Sequence, residues 1–248
     1  MANFLDKVQP KNRMQLEELI DYAFKHNIYD LNFIDTSEIT DMYGLFSNVN
    51  HNFDVSGWDV SNVTNMRCTF YKCNMFTGKG LENWDVSNVT DMDNMFTWCK
   101  IFNADLSNWD MSNVENASYM FYCCKNFDCD LSNWDVSKVT DMYSMFTACE
   151  NFKGKGIENW DVSKVTDMRY MFYNCKNFNC DLSNWDMSKA LRINEMFYGC
   201  KNFEGKGLEN WKLEKTLFYY GMFTGCDKVK LPSWYKAFLK RCNLEFFK

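Results

Sequence analysis

One phrase, W-D-V-S-x-V-T-D-M-x-x-M-F-x-x-C, restarts along this 248-residue chain every 25 or 26 residues. The tryptophans that open it are Trp58, Trp84, Trp109, Trp134, Trp160, Trp185 and Trp211, separated by 26, 25, 25, 26, 25 and 26 positions. Phe70, Phe96, Phe121, Phe146, Phe172, Phe197 and Phe223 keep the same step, each with a cysteine three residues on. A period of this size predicts stacked coils of one chain, in which no coil buries its apolar face alone. Residues 34–42 (I-D-T-S-E-I-T-D-M) are a degenerate first copy, with Ile34 at the tryptophan position and Val49 at the cysteine position. The sequence therefore predicts an α/β solenoid of about eight coils over residues 30–230, between terminal caps at 1–29 and 231–248.

Each cap carries a helical pattern. Leu16, Leu19, Ile20, Ala23 and Phe24 fall on one helical face after Pro10, and Trp234, Phe238 and Leu239 do so in a helix expected over about 233–242 after Pro232. End units are expected to be atypical because they have only one neighbour. The two helices argue against end-to-end filaments and for a monomer. With 46% apolar and 18% aromatic residues and only two prolines, the chain can fill a continuous core. A net charge of −6 argues against a general nucleic-acid binder, which would show a basic face. Residues 1–15 lack the apolar run of an export signal, and no apolar stretch approaches membrane-spanning length. The expected location is cytoplasmic, without membrane insertion.

Within a coil two periods alternate. Trp84 and Val86 point one way and Asp85 and Ser87 the other, as in a short parallel strand. Val89, Met92, Met95, Phe96 and Cys99 then recur at steps of three and four, which predicts about two turns of helix capped by Thr90 or Ser87. The connection to the next coil comes in two forms. Gly-Lys-Gly at 78–80, 154–156 and 205–207 accompanies a 26-residue step, and segments such as N-A-D-L-S at 103–107 a 25-residue one. The glycines are expected at a turn that needs positive φ.

Seven cysteines, Cys73, Cys99, Cys124, Cys149, Cys175, Cys200 and Cys226, share one place in the repeat. A strict disulfide ladder would leave one of them over, so they are read as small buried side chains. No C-x-x-C pair is present and there are only two histidines, so neither zinc nor any other cofactor is expected.

Three outward series are candidates for binding a partner. The first is Asp35, Asp59, Asp85, Asp110, Asp135, Asp161 and Asp186, ending at Lys212. Carboxylates in register repel by about 0.9 kcal/mol per neighbouring pair even in water. They must be held by backbone N–H groups or by Ser and Thr hydroxyls, or await a basic partner. In the second, Asn62, Asn88 and Asn113 give way to Lys138, Lys164, Lys189 and Lys215, a face that becomes basic along the chain. The third alternates Tyr71, Tyr122, Tyr173 and Tyr198 with Thr97, Thr147 and Thr224, and Trp98, Tyr143 and Tyr170 lie close by. Such aromatics could anchor a protein partner or pack between coils. The tryptophan and methionine columns read as core.

The motif V-T-D-M-x-x-M-F-x-x-C-x-x-F, clearest at residues 89–102, 139–152 and 165–178, resembles the repeat of the BspA-like leucine-rich-repeat surface proteins of bacteria. The W-D-V-S segment resembles the variant described as a bacterial surface protein 26-residue repeat. The resemblance covers roughly residues 31–230. It implies a right-handed, leucine-rich-repeat-like solenoid with a short parallel strand and a short helix or helical turn per coil. It also implies the adhesive or host-contact role of exported or lipid-anchored relatives. The chain departs from that pattern in having neither an export signal nor a lipobox cysteine near Met1.

Signals for enzyme chemistry are weak. His26 and His51 belong to no nucleophile motif, Gly-Lys-Gly lacks phosphate-loop spacing, and the Asp–Ser pairs have no histidine to complete a triad. No catalytic residue is assigned. The sequence thus predicts a non-enzymatic protein-interaction scaffold. A surface or secreted adhesin is the alternative, and a carbohydrate-active solenoid, with paired carboxylates at glycosidase spacing, the lesser one.

Overall fold

A computed structural model describes residues 7–242. Its two α-helices lie outside the repeats, α1 at Arg13–Lys25 and α2 at Ser233–Arg241. Three short 3-10 helices, Leu81–Asn83, Ile157–Asn159 and Leu208–Asn210, each follow a Gly-Lys-Gly segment. The outermost parts of both expected caps, residues 1–6 and 243–248, lie outside the described residues.

Successive repeats lie side by side. Single parallel bridges join Asp41 to Asn65 and then run through Asp91, Asn116, Asp141, Asp167 and Arg192 to Phe218. At every junction four amides of one repeat donate to carbonyls of the next. Between the third and fourth repeats these are Met92 to Asn116 (3.0 Å), Asn94 to Ser118 (2.9 Å), Phe96 to Met120 (2.9 Å) and Trp98 to Tyr122 (2.7 Å). The intervening amides close tight turns instead: Met95 donates to Met92, Thr97 to Asn94 and Cys99 to Phe96.

That division of amides replaces the helix expected at 89–99. An α-helix needs each N–H to return four residues, whereas here alternate N–H groups leave the coil altogether. The turns at 92–95 and 96–99 put Asn94 (φ +59°) and Trp98 (φ +66°) at their third residue, where a type II turn requires positive φ. The same two positions are left-handed in all eight repeats, as Gly44 and Asn48 in the first and Gly221 and Gly225 in the last. Thr90 caps no helix; its hydroxyl donates to the Thr64 carbonyl of the preceding repeat.

The strand expected at Trp84–Ser87 is likewise absent, although its alternation holds. Trp84 and Val86 are buried and Asp85 is exposed. The local amides are consumed within the segment: Ser87 N–H donates to the Asp85 carboxylate and Val89 N–H to the Val86 carbonyl. No backbone amide of Trp84–Ser87 donates to a neighbouring repeat.

Columns of identical side chains fill the interior. Phe46, Phe70, Phe96, Phe121, Phe146, Phe172, Phe197 and Phe223 stack nearly parallel, with adjacent centroids such as Phe96–Phe121 at 5.5 Å and Phe146–Phe172 at 5.8 Å. A second column from Phe53 to Phe203 interleaves with it, Phe121 and Phe127 lying 4.0 Å apart. Each repeat tryptophan keeps its indole N–H bonded to the previous repeat, as Trp109 does to the Leu81 carbonyl at 2.7 Å. The ladder cysteines act as donors. Cys99, Cys124 and Cys149 each hold their thiol 2.9 Å from the carbonyl of Phe70, Phe96 and Phe121. Burial pushes these thiols up, so they keep the proton they donate. All twelve cysteines are free thiols.

The two helices pack against the first and last repeats. Asn12 caps α1 by accepting from the Gln15 amide at 3.0 Å, Leu16, Ile20 and Ala23 are buried, and Phe24 lies against Phe53. In α2, Tyr235 meets the last ring of the phenylalanine column, Phe223, edge-on at 4.9 Å. The indole N–H of Trp234 donates to Leu208 O at 2.8 Å and so extends the tryptophan column by one place.

Candidate functional site

The aspartate series is tied into its own turns. Asp59, Asp85, Asp110, Asp135, Asp161 and Asp186 are exposed, and each accepts the amide of the serine two residues on at 2.9 to 3.0 Å. These serine bonds hold Asp59, Asp110 and Asp186 below the ordinary carboxylate range. Of the second series, Asn62, Asn88 and Asn113 donate to the preceding repeat's Ser37, Ser61 and Ser87 carbonyls, so the asparagines are ties between repeats. Lys138 reaches Asn113 at 2.6 Å, and Lys164 and Lys189 are exposed.

The two forms of connection have a shared purpose. The lysine of each Gly-Lys-Gly pairs with an aspartate 25 positions earlier: Lys79 with Asp54 at 2.9 Å, Lys155 with Asp130 at 2.7 Å and Lys206 with Asp181 at 2.6 Å. One form supplies the acid and the other the base. The glycines are set by contact: a Cβ on Gly80 would lie 2.4 Å from the Ser56 Cα, and one on Gly156 2.1 Å from the Ser132 nitrogen.

Among the described residues the tyrosines form an aromatic grouping that runs outward over several repeats. Tyr122, Tyr173 and Tyr198 are half-buried. The structure joins them to Tyr119, Tyr143 and Tyr170, at and beside the left-handed position of their turns. Tyr119 and Tyr122 meet at 5.7 Å and 65°, Tyr170 and Tyr173 at 5.9 Å and 66°, and Tyr173 stacks on Tyr198 at 4.7 Å. Trp98 continues the row to Tyr122 at 6.1 Å. Between the two angled pairs the repeat carries Ser144 and Thr147. A hollow of about 260 Å³ opens there, lined by the tyrosines, these two small residues and Glu195. Thr147 is held by its hydroxyl, which donates to the Tyr170 carbonyl at 2.6 Å. None of the outward aspartates or lysines of the first two series lines this hollow.

Beside it lie two carboxylate–guanidinium clusters that sequence reading missed. Asp167 is 5% exposed and takes Arg169 at 2.6 Å and Arg192 at 3.3 Å. Arg169 also lies over the Tyr143 ring, 4.7 Å from its centroid. Arg67 pairs with Asp93 at 3.1 Å. Tyr119, Ser144 and Glu195 also went unnoticed, because they occupy a variable position whose shared conformation only the structure reveals. Among the described residues no cluster of His, Cys, Asp and Glu is arranged to hold a metal, and no helix is long and apolar enough to cross a membrane.

Repeats joined through side chains of their own period define the chain as a repeat protein. It belongs to the family described as Mycoplasma protein of unknown function, DUF285, which matches residues 40–155 and 123–234. No curated protein and no solved structure matches the chain.

Proposed function

We propose that the protein is a non-enzymatic scaffold that binds a protein partner through its tyrosine face. The carrying observation is the run from Trp98 to Tyr198, half-exposed rings in contact across five repeats. Tyrosine and tryptophan dominate binding energy at interfaces because they supply large, rigid area with a polar tip. In this reading residues 30–230 are a right-handed solenoid of the leucine-rich-repeat kind, residues 1–29 and 231–248 are its caps, and the molecule is a monomer that binds no nucleic acid. The aspartates serve its turns rather than a partner. Asp110 and Asp135 engaged by serine amides also count against a glycosidase.

The test compares wild type with two variants as bait in extracts of the source cell. Tyr122→Ser/Tyr173→Ser should lose the captured partner, and Asp110→Asn/Asp135→Asn should retain it. Loss with the aspartate variant alone would move the interface to the other face. A second reading, a surface adhesin, is favoured by the resemblance of residues 89–102 to BspA-like repeats. Cell fractionation separates the two: the scaffold is expected in the cytoplasm and the adhesin in the envelope.

A further inference from the structure

We infer that the hollow at Ser144 and Thr147 is a cage for an alkylated ammonium cation, a trimethylammonium group of the choline type. The inference rests on the tyrosine face being the working surface. At the two positions concerned, three consecutive repeats read Tyr119, Ser144, Tyr170 and Tyr122, Thr147, Tyr173. Two small residues therefore stand between two pairs of rings at these positions, and the Tyr143 ring, 4.9 Å from Tyr119 and 5.7 Å from Tyr170, bridges the two walls along one side of the hollow. Each pair meets at a steep angle, 65° and 66°, so each wall is a corner and not a flat plate.

The width of the gap selects the guest. The walls are two repeats apart, about 10 Å at roughly 4.8 Å per repeat. A flat aromatic guest touching both walls needs about 7 to 8 Å, twice the distance of carbon–carbon contact, so it would rattle. A cation at the centre lies about 5 Å from each wall, within the ~6 Å reach of a ring's quadrupole. A methylated ammonium fills such a gap, whereas a small metal cation leaves it empty and keeps its own water.

Charge points the same way. Glu195 is the one charged side chain lining the hollow. The nearest arginine, Arg169, is engaged by Asp167 and lies on Tyr143, so it repeats on the neighbouring ring the contact expected of the guest. The Thr147 hydroxyl is already donated to the Tyr170 carbonyl, so it does not donate to a guest.

Tetramethylammonium and choline, titrated into the intact protein and followed by tyrosine fluorescence, should bind saturably in the millimolar range, while potassium and a neutral methyl glucoside should not. Glu195→Gln should weaken binding about threefold to fivefold. Tyr119→Ala or Tyr173→Ala should do so by about twofold to thirtyfold. Thr147→Tyr installs the residue its neighbours already carry, so it keeps the fold and should abolish binding by filling the gap. Sedimentation with phosphatidylcholine vesicles, against phosphatidylglycerol, separates the sources. Co-sedimentation with the former identifies a lipid headgroup, and binding of free choline alone identifies a soluble ligand. No saturation by tetramethylammonium, equal binding of potassium or the glucoside, or unchanged binding by Thr147→Tyr overturns the cage. If the cage fails while Tyr122→Ser/Tyr173→Ser still loses the protein partner, the scaffold reading stands.

Discussion

At the scale of single residues, the most constrained positions are the ones that vary most. Asn94, Tyr119, Ser144, Tyr170 and Glu195 share a left-handed backbone, and so do Trp98, Cys123, Ala148 and Asn174. A side chain there costs about 1–2 kcal/mol relative to a right-handed residue, and a β-branched one more. Ala148 (φ +58°) isolates the effect because its methyl group makes no specialised contact. Ala148→Gly should be neutral or stabilising by up to about 1 kcal/mol, and Ala148→Val should destabilise by about 2 kcal/mol or more, read from denaturant midpoints. A hint lay in the sequence, since Gly44, Gly199, Gly221 and Gly225 and Asn48, Asn94 and Asn174 occupy these positions. The cysteines Cys68 and Cys123 and the aromatics Tyr119, Tyr170 and Trp98 at the same places hid it. The buried columns of Trp, Met, Phe and Cys were fully legible, because repetition and apolarity point to the same face. The tyrosine hollow was legible only in part: the Tyr/Thr alternation marks one row, and the other appears only when the turn conformation aligns Tyr119, Ser144 and Tyr170.

Among the elements, the Gly-Lys-Gly connections make the sharpest distinction. Gly80 (φ +92°) has the Ser56 backbone against it, whereas Gly44 (φ +62°) has open space around it. Gly80→Ala should therefore cost several times what Gly44→Ala does. The latter costs only the left-handed conformation, about 1–2 kcal/mol, and thermal unfolding of the two variants compares them. The ion pairs make the same connections sensitive to acid. The Lys155 ammonium, with the Ser132 hydroxyl and amide, pulls Asp130 from 3.8 down to about 2, and Lys206 with Ser183 does the same for Asp181. A carboxyl lowered in the folded state contributes stability above its unfolded value, and that contribution fades as pH falls from about 4 to about 2. Asp130→Asn/Asp181→Asn should flatten the stability curve in that window and leave its slope above pH 5 unchanged. The expectation of a strand and a helix per repeat erred for one reason. Side-chain periodicity reports which face is buried, and the Trp84/Val86 and Met92/Phe96 spacings did so correctly. The destination of each N–H is a separate matter, settled by Asp85 accepting from Ser87 and by Asn94 and Trp98 sending their amides to the next repeat.

For the molecule as a whole, the modular junctions make an internal repeat dispensable and an end not. Deletion of residues 109–133 joins Asn108 to Trp134 in the register that Asn108 already shares with Trp109. It should leave a cooperative, slightly lower thermal transition while removing Tyr119 and Tyr122. Removal of α2 uncovers Phe223 and Tyr219 and should lower the transition further and promote association, seen by light scattering. The junctions carry one more property. At each of them four peptide N–H groups point toward the carboxyl-terminal end and their carbonyl partners point back, and a smaller number, such as Thr90 to Thr64 and Asn151 to Lys125, run the other way and offset part of the sum. Their dipoles add as in an α-helix, where those of a pleated sheet nearly cancel. The stack thus has an electrical axis of its own, with the reverse sense to a helix: negative beside α1 and positive beside α2. Arg13 already answers the negative pole by donating to the Tyr43 carbonyl and pairing with Asp41 at 3.4 Å. A charged molecule approaching from solution would be turned by this field before it touched a single side chain.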